Sequence, residues 1–164
     1  MTQSEALHKD MLRVRGFYRL QIEEDGEIVG DSGWRENTVT NEGKRDYLAR
    51  LLGDIASSKQ ITFAAIGTGA APAVGDTVLA GELTHQAFSR DAVAAATSGS
   101  TAVRFTGTFA SATSHNTTTI NASNIGLFQQ SNTNTGTVFS GAAYASSSWA
   151  TNQSVNYTYD ITFT

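Results

Sequence analysis

Antiparallel β-structure, in a sandwich or jelly-roll-like arrangement with one short α-helix at about 42–52 packed on it, is the fold this sequence predicts. Three observations carry that expectation. Val155, Tyr157, Tyr159, Ile161 and Phe163 alternate without a break against Ser154, Asn156, Thr158, Asp160 and Thr162. Val103, Phe105 and Phe109 alternate in the same way against Ala102, Arg104, Thr106 and Thr108. Such a period of two puts one apolar face on a core and one polar face outward. Third, a confident helical spacing occurs only once, and strand-like segments joined by polar turns fill the remainder, as in sandwiches and jelly rolls.

Taken in order, residues 1–13 read as a mobile arm and residues 14–164 as a single domain. In the arm, Leu7 and Met11 stand four apart, a spacing that suits one amphipathic turn against a partner. Because the arm is mostly polar or charged and lies outside the periodic region, it is expected to serve attachment and not folding. A first strand is expected at about Arg15–Glu23, with Phe17 on one face and Tyr18, Leu20 and Ile22 on the other. Asp25-Gly26 signals a two-residue hairpin returning through Glu27–Gly30. Asp31-Ser32-Gly33 turns the chain again before Trp34 and a strand at Asn37–Thr40.

The helix spans Glu42 to Leu52, with Thr40 or Asn41 as its cap and Gly53 as a left-handed stop. Tyr47, Leu48, Leu51 and Leu52 form its apolar stripe, and Asp46 pairs with Arg50 one turn on. It is expected to cover the core as a lid. Strands follow at Ile61–Ile66, Gln86–Ala94 and near 101–110, 117–128, 136–144 and 153–163. Within 117–128 the apolar set changes parity, from Ile120 and Ala122 to Ile125 and Leu127, which marks a bulge at Ser123-Asn124.

Charge is concentrated early. Residues 1–54 hold 8 of the 11 Lys/Arg and 11 of the 15 Asp/Glu, whereas from Asp91 onward only Asp91, Arg104 and Asp160 are charged. The net charge of −4 with no basic stripe argues against a nucleic-acid partner. Without cysteine the fold needs no oxidising compartment. Met1 to Gly16 has no apolar run, so no secretory signal is expected, and no segment is long and apolar enough to span a bilayer. A soluble chain acting in the cytoplasm, or in something assembled there, is the expectation.

Ile66-Gly-Thr-Gly-Ala-Ala-Pro-Ala-Val-Gly-Asp-Thr-Val-Leu-Ala-Gly-Glu-Leu83 has the glycines of a phosphate loop. It lacks the Lys that would reach the phosphates, and Asp76 stands after Gly75 instead. Pro72 occupies the position of the third glycine of a dinucleotide fingerprint. The better reading is a rigid surface loop in which Asp76 caps a short helix through Leu83. His8, His85 and His115 are too scattered to form a metal site. Glu23-Glu24-Asp25 lacks the further spaced oxygens of a calcium loop. The sequons at Asn116, Asn121, Asn152 and Asn156 are what composition alone produces. Trp34 and Trp149 suit sugar stacking less well than a place in the core. No catalytic, cofactor or metal site is expected, and the chain does not read as an enzyme.

Several of these segments coincide with a known pattern. Asp31-Ser-Gly-Trp34, Asn37 and Thr40-Asn-Glu-Gly43 come first, then Ile66 to Ala73 with Asp76-Thr-Val-Leu79, Glu82-Leu83 and Arg90. Ile125-Gly-Leu-Phe128 and Val138-Phe-Ser-Gly141 complete it. Over residues 15–163 the chain resembles a group of small bacteriophage virion proteins described as capsid decoration (cement) or tail-fibre-like proteins. The resemblance implies β-sandwich units attached to the particle as trimers or other symmetric sets. For a decoration protein it further implies the major capsid protein as partner and the capsid surface as location, after assembly in the host cytoplasm. The alternatives are a tail- or fibre-associated adhesin and, in another class, a carbohydrate-binding sandwich using Trp34 and Trp149.

Overall fold

A computed structural model describes residues 12–83, 90–110 and 119–164. The described residues form ten antiparallel strands and one short helix. The strands are β1 (Val14–Glu24), β2 (Glu27–Asp31), β3 (Arg35–Val39), β4 (Phe63–Gly67) and β5 (Asp91–Ala92). They continue with β6 (Ala94–Thr97), β7 (Ala102–Phe109), β8 (Ile120–Phe128), β9 (Ser140–Trp149) and β10 (Gln153–Phe163). The helix, α1, is π-type over Gly43–Ala49 and α-helical over Arg50–Leu52.

Two sheets share this path. Sheet A runs β2–β1–β10–β7–β6 and sheet B runs β3–β9–β8–β4–β5. Strands that change sheet join them at two corners, as in orthogonal sandwiches. β3 pairs with β1 through Arg35, Glu36 and Asn37, then with β9 through Thr38 and Val39. Opposite, β5 pairs with β4 and β6 with β7, and Val93 is the residue between β5 and β6. The sheet is nearly closed, a mainly β, sandwich-like barrel of the expected class.

The core follows from the alternation. Tyr18, Leu20, Phe105, Phe109, Val155, Tyr157, Tyr159 and Ile161 of sheet A are buried against Ile66, Ala122, Ile125, Leu127, Ala142 and Trp149 of sheet B. Aromatic side chains supply much of this area, and a buried Tyr needs a partner for its hydroxyl. Those partners lie across the core. Tyr18 donates to the Ala143 carbonyl at 2.8 Å, Tyr159 to the Ile125 carbonyl at 3.3 Å and Tyr157 to Asp91 at 2.8 Å. Each bond runs from sheet A to sheet B and fixes their relative position. Burial, the largest cause, pushes the Tyr157 and Tyr159 hydroxyls well above the usual tyrosine range.

Several local expectations hold. Asp25 and Gly26 both have positive φ, 51° and 85°, as a type I′ hairpin requires, and glycine takes the second without steric cost. β8 and β9 lose register at Ser123, where three residues of β9, Tyr144 to Ser146, stand opposite one. Thr40 accepts the Gly43 N–H at 2.9 Å, and Asp46 meets Arg50 at 3.4 Å.

Others are corrected. The helix is π-type for most of its length, so its bonds span five residues and widen each turn. The expected stripe is broken in consequence: Tyr47 is buried against Phe139, while Leu51 is exposed and Leu52 is 85% exposed. Gly53 has φ −91° and is no left-handed stop; the positive φ falls on Asp54, at 48°. No helix forms between Asp76 and Leu83. Asp76 instead accepts the Ala73 N–H at 2.8 Å while its own N–H reaches the Ala73 carbonyl at 3.1 Å, closing a tight turn. The strand expected at 136–144 is β9, shifted to Ser140–Trp149. Of the strand expected at Gln86–Ala94, residues 86–89 lie outside the described residues, and the rest is split between β5 and β6.

Candidate functional site

The glycine-rich segment 66–83 lies over the outer face of sheet B. Leu79 enters a second core there with Ala65, Phe128 and Val138. Gly69 fits because it has no side chain: a Cβ at this position would strike the Ala80 carbonyl. Asn124, buried at the bulge, donates to the carbonyls of Ala70 at 2.9 Å and Ala80 at 2.8 Å, and Ser123 donates to the Gly69 carbonyl at 2.9 Å. The Thr68 N–H is taken by the Gly81 carbonyl at 3.0 Å and the Leu83 N–H by the Ile66 carbonyl at 3.1 Å. A phosphate cradle needs converging free N–H groups. In this loop several of those groups are already engaged, and its carbonyls are turned onto the sheet.

Glu82 and Arg90 seal the same layer. Their side chains are each 1% exposed, and the Arg90 guanidinium donates two parallel hydrogen bonds to the Glu82 carboxylate, at 2.7 and 2.9 Å. Arg90 also donates to the Gln130 carbonyl at 2.9 Å, Glu82 accepts the Asn134 N–H at 3.1 Å, and the guanidinium lies 3.5 Å from the Phe128 ring centroid. Sequence reading placed both residues in a pattern without pairing them. Their spacing of eight carries no signal of contact, because the contact depends on tertiary packing. The segments that carry the resemblance thus largely converge on one structural layer.

Among the described residues no second layer of chain covers the outer face of sheet A. Its side chains come from the polar half of each alternation, among them Arg15, Arg19, Thr106, Thr108, Asn156, Thr158 and Asp160. Three arginines on it are each paired with a carboxylate: Arg15 with Glu36 at 3.0 Å, Arg19 with Asp31 at 3.0 Å, and Arg104 with Asp160 through two bonds of 2.7 Å. The hydrogen bond from Arg19, then that from the Gly33 N–H, holds the Asp31 carboxyl well below the usual carboxylate range. Asp91 is spent inside, on Tyr157 and on the Thr108 N–H at 3.2 Å. All three charged residues of the carboxy-terminal half therefore have internal partners.

The tryptophans separate. Trp149 is fully buried and donates to the Gln153 carbonyl at 2.8 Å. Trp34, expected in the core, is 47% exposed, with the Arg104 guanidinium 5.6 Å from its ring. It follows the Asp31–Gly33 turn, which projects the ring onto the outer face. A cleft of about 180 Å³ opens between β2 and β9, floored by Leu20, Ile22 and Val155 and edged by Asp31 and Arg35. His8, His85 and His115 lie outside the described residues, and among the described residues no group of acidic, His or Cys side chains gathers to hold a metal. No described helix is long and apolar enough to cross a membrane. No family model, curated protein or solved structure matches the chain.

Proposed function

We propose that this chain is a bacteriophage structural protein, a capsid decoration protein that binds the head surface as a symmetric homo-oligomer, with a trimer favoured, and reinforces contacts between major capsid subunits. The observation that carries the reading is the outer face of sheet A, a broad platform of Thr and Asn side chains on which Arg15, Arg19 and Arg104 are each already paired with a carboxylate. Such a face contributes neutral hydrogen bonds and shape, which suits a repeated lattice contact. On a lattice, each contact can be modest because many act together. The motif residues support the reading by being consumed in the scaffold instead of being left convergent for chemistry.

The experiment is to add the purified chain to heads that lack it and to count copies retained after sedimentation. Hundreds per particle support decoration; a handful would move the protein to the tail. Because screening at molar salt shortens charge interactions to about 3 Å without weakening apolar contacts, binding should survive sodium chloride and EDTA and be lost in guanidinium. Release by moderate salt would point to the charged amino-terminal third.

One observation favours a second reading, a carbohydrate-binding module. Trp34 is 47% exposed, with the Arg104 guanidinium of the Arg104–Asp160 pair over its ring, an accessible aromatic group beside hydrogen-bonding side chains. Quenching of tryptophan fluorescence by soluble glycans, abolished in Trp34→Ala, would support it over decoration.

A further inference from the structure

At the end of the barrel where β1 begins, the core is unfinished. An apolar groove of about 340 Å³ opens there between α1 and sheet A. Leu48 and Leu51 form one wall, and Val103, Phe105, Ile161 and Phe163 the other. Leu51, which lines it, is 52% exposed. Val14 and Phe163, although they pair on the core side of sheet A, are only partly buried.

The chain enters the barrel at this mouth. Arg13 continues the β1–β10 ladder through two backbone bonds with Thr164, at 2.6 and 2.9 Å. Strand alternation then places Leu12 on the face of Val14 and Tyr18, which is the core face. Leu12 is nonetheless 64% exposed. A core-side leucine without cover, at the rim of an apolar groove, calls for more apolar chain. Residues 1–11, which precede it and lie outside the described residues, contain Leu7 and Met11. From Leu12 back to Leu7 is five residues, a reach of up to about 17 Å. A segment tethered at the rim has an effective concentration there of about a millimolar or more, so a weak apolar contact suffices.

We propose that this groove is the seat of the chain's own amino-terminal segment, with Leu7 and Met11 entering it beside Leu12 and completing the core at this end. It gives the segment a part in folding, where the sequence alone points to attachment, and it holds independently of the particle to which the protein belongs.

The chain has no cysteine, so a pair of introduced thiols reports contact without interference. Leu7→Cys is combined with Ala95→Cys, at a residue lining the groove, and as a control with Thr158→Cys on the outer face of sheet A. After mild oxidation the groove pair is expected to give an intramolecular crosslink on a monomeric band, and the control pair none. In parallel, Leu7→Asp with Met11→Asp in the full chain should lower Tm by about 4–8 °C, the shift that losing two modest apolar contacts produces in a chain of this size. Binding of anilinonaphthalene sulfonate should rise several-fold in the same variant. A crosslink confined to a dimeric band overturns the proposal, because a second copy then fills the groove. No crosslink with an unchanged Tm overturns it as well.

Discussion

The outer face of sheet B lies under a second layer of chain, with its own small core and a buried ion pair, whereas among the described residues the outer face of sheet A has no such layer. Both faces come from antiparallel strands of similar length, and the difference lies in what the loops do. On sheet B the loop after β4 and the segment between β8 and β9 fold back onto the strands. On sheet A the β1–β2 hairpin turns within two residues, and among the described residues no such segment packs over the strands. Charge behaves accordingly. The same residue types are deeply desolvated on one face and partly hydrated on the other, and mutations should register that contrast.

The largest effect is expected at the buried pair. Glu82→Ala leaves the Arg90 guanidinium uncompensated, and removing one partner of such a pair costs about 3–5 kcal/mol. Glu82→Leu together with Arg90→Met should recover most of that loss, since a well-packed apolar replacement can be neutral. Urea midpoints of the three proteins decide it; a single variant within experimental error of the parent would mean that the layer is loosely held.

Asn124→Ala should come next. It removes the donor to Ala70 and Ala80 and leaves two carbonyls of the covering loop unpaired, at about 1–3 kcal/mol for each buried group. The loss should be confined to sheet B. Hydrogen exchange of the Thr68 and Leu83 amides should accelerate while that of β1 and β10 stays unchanged, and acceleration throughout would break the distinction between the faces.

An acid titration sharpens the comparison on the helix side of sheet B. Asp46 is buried, and the hydrogen bond from Arg45, followed by that from Lys59, holds its carboxyl well below the usual range against desolvation. Asp31, on the sheet A side, is depressed as well, by Arg19 first. In both cases the unfolded chain takes up the proton first, so the stabilisation is present above the ordinary carboxylate pKa of about 4 and is lost as pH falls below it. Urea midpoints should be flat from neutral pH to about 5 and drop below 4. Asp46→Asn should be less stable at neutral pH and show a shallower acid limb; an unchanged limb would remove Asp46 from the account.

Least is expected from the bare face. Arg104→Ala breaks a bidentate but half-exposed pair with Asp160, worth about 0–1 kcal/mol. Repeating the urea titration in 1 M sodium chloride should narrow even that difference. A loss as large as that of Glu82→Ala would show that this face is also locked by its charges.

Legibility in the sequence follows the same division. Sheet A is built from elements whose signals are local: unbroken alternation in β10 and β7, and a hairpin at Asp25-Gly26. The bulge at Ser123 was legible because a parity change is itself local. The layer over sheet B was not. Asp76 has the features of a helix cap, but its carboxylate is satisfied by the Ala73 N–H, three residues back, and Leu79 gains more by entering the second core than a short helix would offer. Glu82 and Arg90 stand eight apart in the sequence, and only the tertiary structure brings them together as a buried pair. Trp34 reads as core by its size, yet the Asp31–Gly33 turn carries it outside.

By itself the sequence determined what repeats over neighbouring residues: strand faces, turn positions, one short helix, and a carboxy-terminal half nearly free of charge. Those features depend on backbone geometry and on transfer from water, both of which act residue by residue. Tertiary structure alone decided which strands cross between sheets at β3 and Val93, how far the helix unwinds to i→i+5 bonding, and which charges lose their water. Each of these depends on contacts between residues distant in the chain, which no local pattern encodes. The tyrosine hydroxyls that pin one sheet to the other, Tyr18 to Ala143 and Tyr159 to Ile125, are bonds of that kind.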